Sequence, residues 1–376
     1  MGPITKRQKQ VLNFVSSYEN RKGYAPSLQE IADRFKLASP STAHFHIKRL
    51  SESGYLDKSS HTARSLSVRR VAKIQKPSAN AYKKMPLNQI ILGDATEEMA
   101  RLPAGSCDVI IIDPPYNIGK DFGNNTDRRE LGEYIDWSKA WMDQAVRVLK
   151  PTGTLFIYGF SEILAYLSVE LPLNKRWLIW HYTNKNVASL NFWQRSHESI
   201  ICAWKDSPIF NRDQVRESYT EGFLSGAAGK IRKDTKGRFS KGGVSTIYNA
   251  HPGGALPRDV IKVPALAGGA GMIERWFLCE TCGDAFEPRQ LKKHADHQVV
   301  KHPTQKPLEL ARRLIKSSAP AKDAVILAPF AGTGSECVAA KELGHSYIGI
   351  EINPDYIKLA NKFLAGAKTP GQTRLV

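Results

Sequence analysis

Asp113, Pro114, Pro115 and Tyr116 close the aliphatic run Val109–Ile112, and their types suit one kind of chemistry. Each proline fixes φ and carries no backbone N–H, so the turn exposes carbonyl oxygens beside the Asp113 carboxylate. Such an acceptor array fits an exocyclic amino group, which has two N–H bonds to give. Tyr116 adds a flat face on which a purine or pyrimidine can stack. The implied chemistry is to hold an amine by its hydrogens and turn its lone pair toward an electrophile.

A second corner lies far along the chain. "AVILAPFAGTG" ends in Gly332 and Gly334, which lack Cβ atoms and let backbone approach a ligand closely. Glu351, 19 residues past Gly332, ends the next predicted strand, where a carboxylate can take both ribose hydroxyls of a nucleoside. By itself this turn fits a nicotinamide dinucleotide as well as a nucleoside; the amine-holding corner argues for the second. A third group, Cys279, Cys282, His294 and His297, is spaced close to a C2H2 zinc site, with Phe286 and Leu291 where a small finger keeps its core. All four ligand positions are protein-filled, so a Zn²⁺ there is structural.

These corners need elements to place them. "NQIILGDATEEMARLPAGSCDVIIIDPPY" reads strand, acidic turn, short helix, loop, strand. A helix ending before Pro151 and a buried strand through Leu155 to Tyr158 come next. "RWLIWHYTN" and "HESIICAWKD" read as an antiparallel pair at one sheet edge, and residues 323–364 as strand, glycine turn, helix, strand, acidic turn, helix. One sheet is split in sequence, and both corners fall at carboxyl ends of its strands, where open α/β sheets bind ligands.

The net charge of +18 is unevenly spread: residues 1–84 hold 17 Lys and Arg against 5 acids, so two thirds of the excess lies there and points to a polyanion-binding module. In that stretch Val11, Leu12, Phe14, Val15 and Tyr18 share one helical face, after Thr5 as N-cap. Ser27 and Glu30 form a capping box for a second helix with Ile31, Ala32 and Phe35 inward. A third helix offers Phe45, Ile47 and Leu50 to the core and Ser41, Thr42, His44, His46 and Lys48 to solvent. Short helices followed by a polar one and a small hairpin read as a winged helix-turn-helix. Further on, "GKIRKDTKGRFSKGG" has the composition of a phosphate-tracking loop or of a plain surface loop.

At 376 residues and 41% hydrophobic content, the chain has room for two or three domains. No apolar run approaches the roughly 18 residues of a membrane span, and the N-terminus lacks a signal-peptide core. Five cysteines, two of them close together, do not make a disulfide framework, so the expected setting is the cytoplasm with thiols reduced.

Two families are resembled. "TKRQKQVLNFV", "PSLQEIADRF" and "SPSTAHFHIKRL" resemble the winged-helix DNA-binding domain of the LexA repressor, without its protease half. "ILGDATE", "DVIIIDPPYNIGKDF", "HESIICAWKD", "HPTQKPLELARRLI", "PFAGTGSECVAA" and "YIGIEINPDY" resemble, in order, the β class of amino-group DNA methyltransferases. That resemblance implies an α/β fold, a circularly permuted Rossmann-like sheet with S-adenosylmethionine as methyl donor and a flipped base as target. It places Asp113, Pro114, Pro115 and Tyr116 on the base, and Asp94, Ala95, Phe330, Gly332, Gly334, Glu351 and Asn353 around the cofactor, with Thr304 and Lys306 near the methionine carboxylate.

The implied organisation is a winged helix over 1–70, a basic linker over 71–86, a catalytic half over 87–205, a target-recognition region over 206–300 with the finger-like segment 276–298, and a cofactor half over 301–376. Attack by the amine is direct, and none of Cys107, Cys202 and Cys337 sits in the Pro-Cys setting of a covalent mechanism. By the same resemblance Asp113 implies adenine N6, with cytosine N4 the alternative. The family usually has Asp where Ala328 stands, which leaves open a DNA-binding regulator with an attenuated site. Implied partners are double-stranded DNA, a second copy of the chain and a cognate restriction endonuclease, in a prokaryotic or phage setting.

Overall fold

The computed structural model describes residues 25–37, 39–52, 56–58, 66–68, 81–119, 127–184, 189–233, 245–267 and 274–369, with scattered positions between 5 and 18 and at 236, 242 and 243. It divides into two units, Met1–Gln75 and Lys76–Val376.

In the first unit, helix α1 (Leu28–Phe35) starts at the predicted capping box: the Glu30 N–H donates to the Ser27 hydroxyl at 3.2 Å, and the Ser27 N–H donates to Glu30 Oε2 at 2.7 Å. After a turn in which Lys36 takes φ +48°, helix α2 (Pro40–Glu52) follows. Val11, Val15, Ile31, Ala32, Ile47 and Leu50 pack together as the core. Phe45 departs from expectation: it is 53% exposed. The buried stripe of α2 runs Ala43, Ile47, Leu50, and Phe45 lies off it. Strands β1 (Leu56–Lys58) and β2 (Leu66–Val68) pair antiparallel as the wing. Residues 69–80, and with them most of the linker over 71–86, lie outside the described residues.

The second unit opens with β3 (Gln89–Leu92), α3 (Ala95–Arg101), β4 (Cys107–Ile112), α4 (Leu131–Val148), β5 (Leu149–Gly159), α5 (Ser161–Glu170), β6 (Asn174–His181) and β7 (His197–Trp204). The middle region carries α6 (Glu221–Gly226), a hairpin of β8 (Ile231–Lys233) with β9 (Ser245–Ile247), β10 (Val260–Lys262), and a small sheet of β11 (Phe277–Cys279), β12 (Ala285–Phe286) and β13 (Val299–Lys301). It closes with α7 (Leu308–Ser318), β14 (Val325–Ala328), α8 (Ser335–Glu342), β15 (Ser346–Glu351) and α9 (Pro354–Gly366). The main sheet runs β10-β6-β7-β5-β4-β14-β15-β3.

Alternation along the central strands shows why helices cover both faces. Val109 and Ile111, Phe156 and Tyr158, Ile326 and Ala328 enter one core, while Ile110 and Ile112, Leu155 and Ile157, Leu327 enter the other. From β4 the chain winds through α4 to β5 on one side; from β14 it winds through α8 to β15 on the other. Parallel pairing of β4 with β14 therefore makes their boundary the topological switch point, and the turns after both strands face one crevice.

Several details differ from the sequence reading. β6 and β7 pair antiparallel, but β10 lies outside β6, so that pair is not the edge. Helix α4 does end before Pro151, as expected, but strand begins at Leu149; the register between β4 and β5 shifts before Val109↔Thr154, and Pro151 falls in that irregular stretch where no ladder N–H is needed. The glycine-rich basic segment begins with β8, which pairs with β9 just beyond the segment, and the rest of it lies mostly outside the described residues. Among the described residues no helix is long and apolar enough to cross a membrane.

Candidate active site

The Asp113 turn is fixed from three sides. Tyr134 donates its hydroxyl to the Pro115 carbonyl at 2.7 Å, and the Asp127 carboxylate accepts the N–H groups of Asn117 at 2.6 Å and Ile118 at 3.2 Å. Asn117 takes φ +59° and donates its side-chain amide to the Arg129 carbonyl at 3.0 Å. Asp113 and Pro114 line the crevice.

Facing them is the glycine bend. Gly332 takes φ +51°, and a Cβ there would sit 2.8 Å from the His302 ring. Its N–H donates to Glu351 Oε2 at 2.7 Å, and the Asn353 N–H donates to Oε1 at 2.9 Å. The Glu351 carboxylate is thereby held at the crevice by backbone N–H groups. Asp113, Pro114, Pro115, Tyr116, Thr304, Lys306, Phe330, Gly332 and Glu351 all line a single cleft. Asp94, Ala95, Gly334 and Asn353 do not line it. Asp94 instead caps α3 by accepting the Thr96 N–H at 2.8 Å, Ala95 is buried beneath it, Gly334 starts α8 at φ +78°, and Asn353 caps α9.

Ala328 does not line the cleft either. It is buried in the core of one sheet face, so the missing carboxylate is not a missing cleft wall.

Lys306 lies against the Asp113 corner of the cleft. Its ammonium reaches both Asp113 oxygens, at 2.7 and 2.8 Å, and lies 3.7 Å from Glu198. Tyr116 sits in the same knot: its hydroxyl is 2.8 Å from Asp113 Oδ1 and 3.1 Å from Glu198 Oε2, and the Lys306 ammonium lies over its ring at 5.2 Å. Burial pushes the Asp113 carboxyl up despite Lys306 and pushes the Tyr116 phenol well up, with both carboxylates adding to the second effect. Burial alone would lower the Lys306 ammonium, but Asp113 and Glu198 more than offset it. The knot therefore holds its lysine charged.

Several cleft residues were not foreseen. His302, stacked edge-on against Tyr356, backs Gly332. Glu336, the second residue of α8, lines the cleft with a buried Oε1 that has no partner, and burial followed by the Asp113 charge carries its pKa up to about 7. A second cavity on the far side of Tyr116 and Lys306 is lined by Phe160, Trp180, Glu198 and Arg275. The only signal for Glu198 was an acid inside an apolar strand, and an acid at a helix start is too common to have marked Glu336.

The cysteine and histidine group assembles as its spacing predicted. All four ligand atoms lie within 4.8 Å of one another. Cys279 Sγ is 3.2 Å from His297 Nδ1, Cys282 Sγ is 3.6 Å from His294 Nδ1, and the two Nδ1 atoms are 3.4 Å apart. A tetrahedral ion with bonds of about 2.3 Å to sulfur and 2.0–2.1 Å to nitrogen separates S from N by roughly 3.6 Å and N from N by roughly 3.4 Å. Phe286 and Leu291 pack at this knuckle, which feeds directly through β13 into His302.

In the first unit, Ser41, His44 and Lys48 are exposed, and Thr42 and His46 are half-buried.

Comparison with known proteins agrees with this geometry. Residues 107–362 match the model of the N6 and N4 DNA methylases. The chain belongs to that family. Residues 1–65 of the methylase match the LexA DNA binding domain. It is 29% identical to the DNA adenine methyltransferase YhdJ of Escherichia coli strain K12, over 72% of this chain and 80% of that one. It is 26% identical to the type II methyltransferase M.HpaI of Haemophilus parainfluenzae, over 73% and 74% of the two chains. Among solved structures, the PvuII DNA methyltransferase, cytosine-N4-specific, shares the fold at a TM-score of 0.50 and 13% identity, covering 73% of this chain and 85% of that one.

Proposed function

We propose that this methylase transfers a methyl group from S-adenosylmethionine to the exocyclic N6 of adenine, on a base turned out of duplex DNA. The carrying observation is that the Asp113 turn and the Gly332–Glu351 corner line one cleft. The residues fit the donor: Glu351 offers two carboxylate oxygens to a ribose, Gly332 leaves no room for a Cβ, and Glu336 presents a partnerless buried oxygen. When bound, the donor supplies an electrophilic methyl group.

Asp113 and the Pro114 carbonyl accept the two N–H bonds of the amine and stabilise the positive charge that grows on nitrogen as its lone pair is used. Lys306 opposes the rise that burial imposes on Asp113, and Glu198, 3.7 Å away, is its alternative partner once the amine takes Asp113. The second cavity, with Phe160 and Trp180 as apolar walls, receives the base, whose extrusion costs a few kcal/mol. Asp113 at the first motif position and the adenine specificity of a 29% identical relative favour adenine.

The Cys279, Cys282, His294 and His297 knuckle holds a structural Zn²⁺, and Ser41, Thr42, His44, His46 and Lys48 carry DNA contacts of the winged helix. Pairing with a second copy, partnership with a restriction endonuclease and a cytoplasmic setting follow the family pattern. The test is mass analysis of nucleosides from DNA incubated with the protein and the labelled donor. N6-methyladenine is expected; N4-methylcytosine would move the target, and no methyl product despite DNA binding would leave a DNA-binding regulator.

A further inference from the structure

We propose that Glu336 is the carboxylate that receives the α-ammonium group of the methyl donor, a role that rests on the donor reading above. Glu336 is 4% exposed, lines the cleft, and keeps its Oε1 buried without a hydrogen-bond donor. Buried polar atoms are nearly always paired, so an orphaned carboxylate oxygen on a cleft wall marks the place of a donor that arrives with a ligand. The missing partner must bring N–H or O–H bonds and, for a buried carboxylate, positive charge.

Position along the cleft narrows the choice. Glu336 feels the charges of Asp113 and Lys306, and its own charge is felt by the buried Tyr158, so it lies toward the amine-holding end. Glu351 sits at the other corner, beyond the glycine bend, where the ribose belongs. A donor laid between these corners points its amino-acid portion toward Glu336. That portion carries an ammonium with three N–H bonds, whereas the sulfonium has none. Lys306 does not fill this place: its ammonium holds Asp113 at 2.7 and 2.8 Å, with Glu198 next at 3.7 Å.

The experiment compares the full-length protein with its Glu336→Gln variant by calorimetric titration at pH 8. Three ligands are used: S-adenosylmethionine, S-adenosylhomocysteine, which lacks the sulfonium charge but keeps the ammonium, and methylthioadenosine, which lacks the amino-acid portion. Thermal unfolding without ligand checks that the variant is folded; losing a buried charge whose Oε1 has no partner should leave it about as stable as the parent. Expected is a tenfold to hundredfold weaker affinity for the first two ligands, roughly the ratio for a lost charge-assisted hydrogen bond, and no change for the third. Unchanged affinity for all three overturns the assignment. Equal weakening of all three makes Glu336 a structural residue, and weakening of S-adenosylmethionine alone moves the contact to the sulfonium; either result also overturns it. If the parent binds none of the three, the donor reading fails and takes this assignment with it.

Discussion

Replacing Lys306 by Met tests the charge knot at the heart of the site. The Lys306 side chain is 4% exposed and its ammonium contacts both Asp113 oxygens, with Glu198 close by. Methionine keeps the length and removes the charge, leaving two carboxylates buried together. Removing one partner of a buried ion pair costs about 3–5 kcal/mol. The sign of the pH dependence follows from Asp113, whose folded pKa burial already raises above 3.8 and which loses its cation in the variant. An acid with a raised folded pKa is stabilising below its unfolded pKa and loses that contribution as pH rises through the folded value. The deficit should thus be full at pH 8 and shrink toward pH 5. All seven tryptophans lie between residues 137 and 276, so their fluorescence follows the second unit alone during urea unfolding. With a slope near 3 kcal/mol per molar, the midpoint should fall by roughly 1–2 M at pH 8. A deficit below about 1 kcal/mol, or one equal at both pH values, would refute the reasoning.

Asp113→Ala should abolish methyl transfer, a loss of at least a thousandfold in turnover by the usual weight of one oriented electrostatic partner, while gel-shift affinity for DNA stays within about threefold. Metal analysis should find about one zinc per chain, and none in Cys279→Ala; because β13 runs from the knuckle into His302, the variant should also bind S-adenosylhomocysteine more weakly in calorimetry. Deleting residues 1–75 should lower DNA affinity and flatten its dependence on salt, read as the slope of log K against log salt. An unchanged slope would make the basic first unit a bystander.

Both corners of the site were readable in the sequence because each rests on local backbone chemistry. Two prolines after an aliphatic strand dictate an acceptor turn, and glycines before a helix dictate close approach, whatever the rest of the chain does. The Ser27 capping box and the metal-ligand spacing were readable for the same reason. Asp94 and Asn353 show how one side chain type serves two purposes: a short acid or amide after a strand can face a ligand or cap the following helix, and here both cap. Phe45 was misplaced because a single apolar residue off the buried stripe of a short helix has no signature of its own.

The amino-acid order alone decided which elements form and what chemistry their ends can offer, since strand alternation, caps and turns depend on neighbours a few residues apart. Which charge meets which was decided only by the fold. Lys306 lies 193 residues from Asp113, and Glu351 reaches the Gly332 N–H because parallel pairing sets β14 beside β15. Burial and the nearby Asp113 charge raise Glu336 to about 7. Pairing and desolvation belong to packed neighbours in space, so neither has a fixed spacing along the chain.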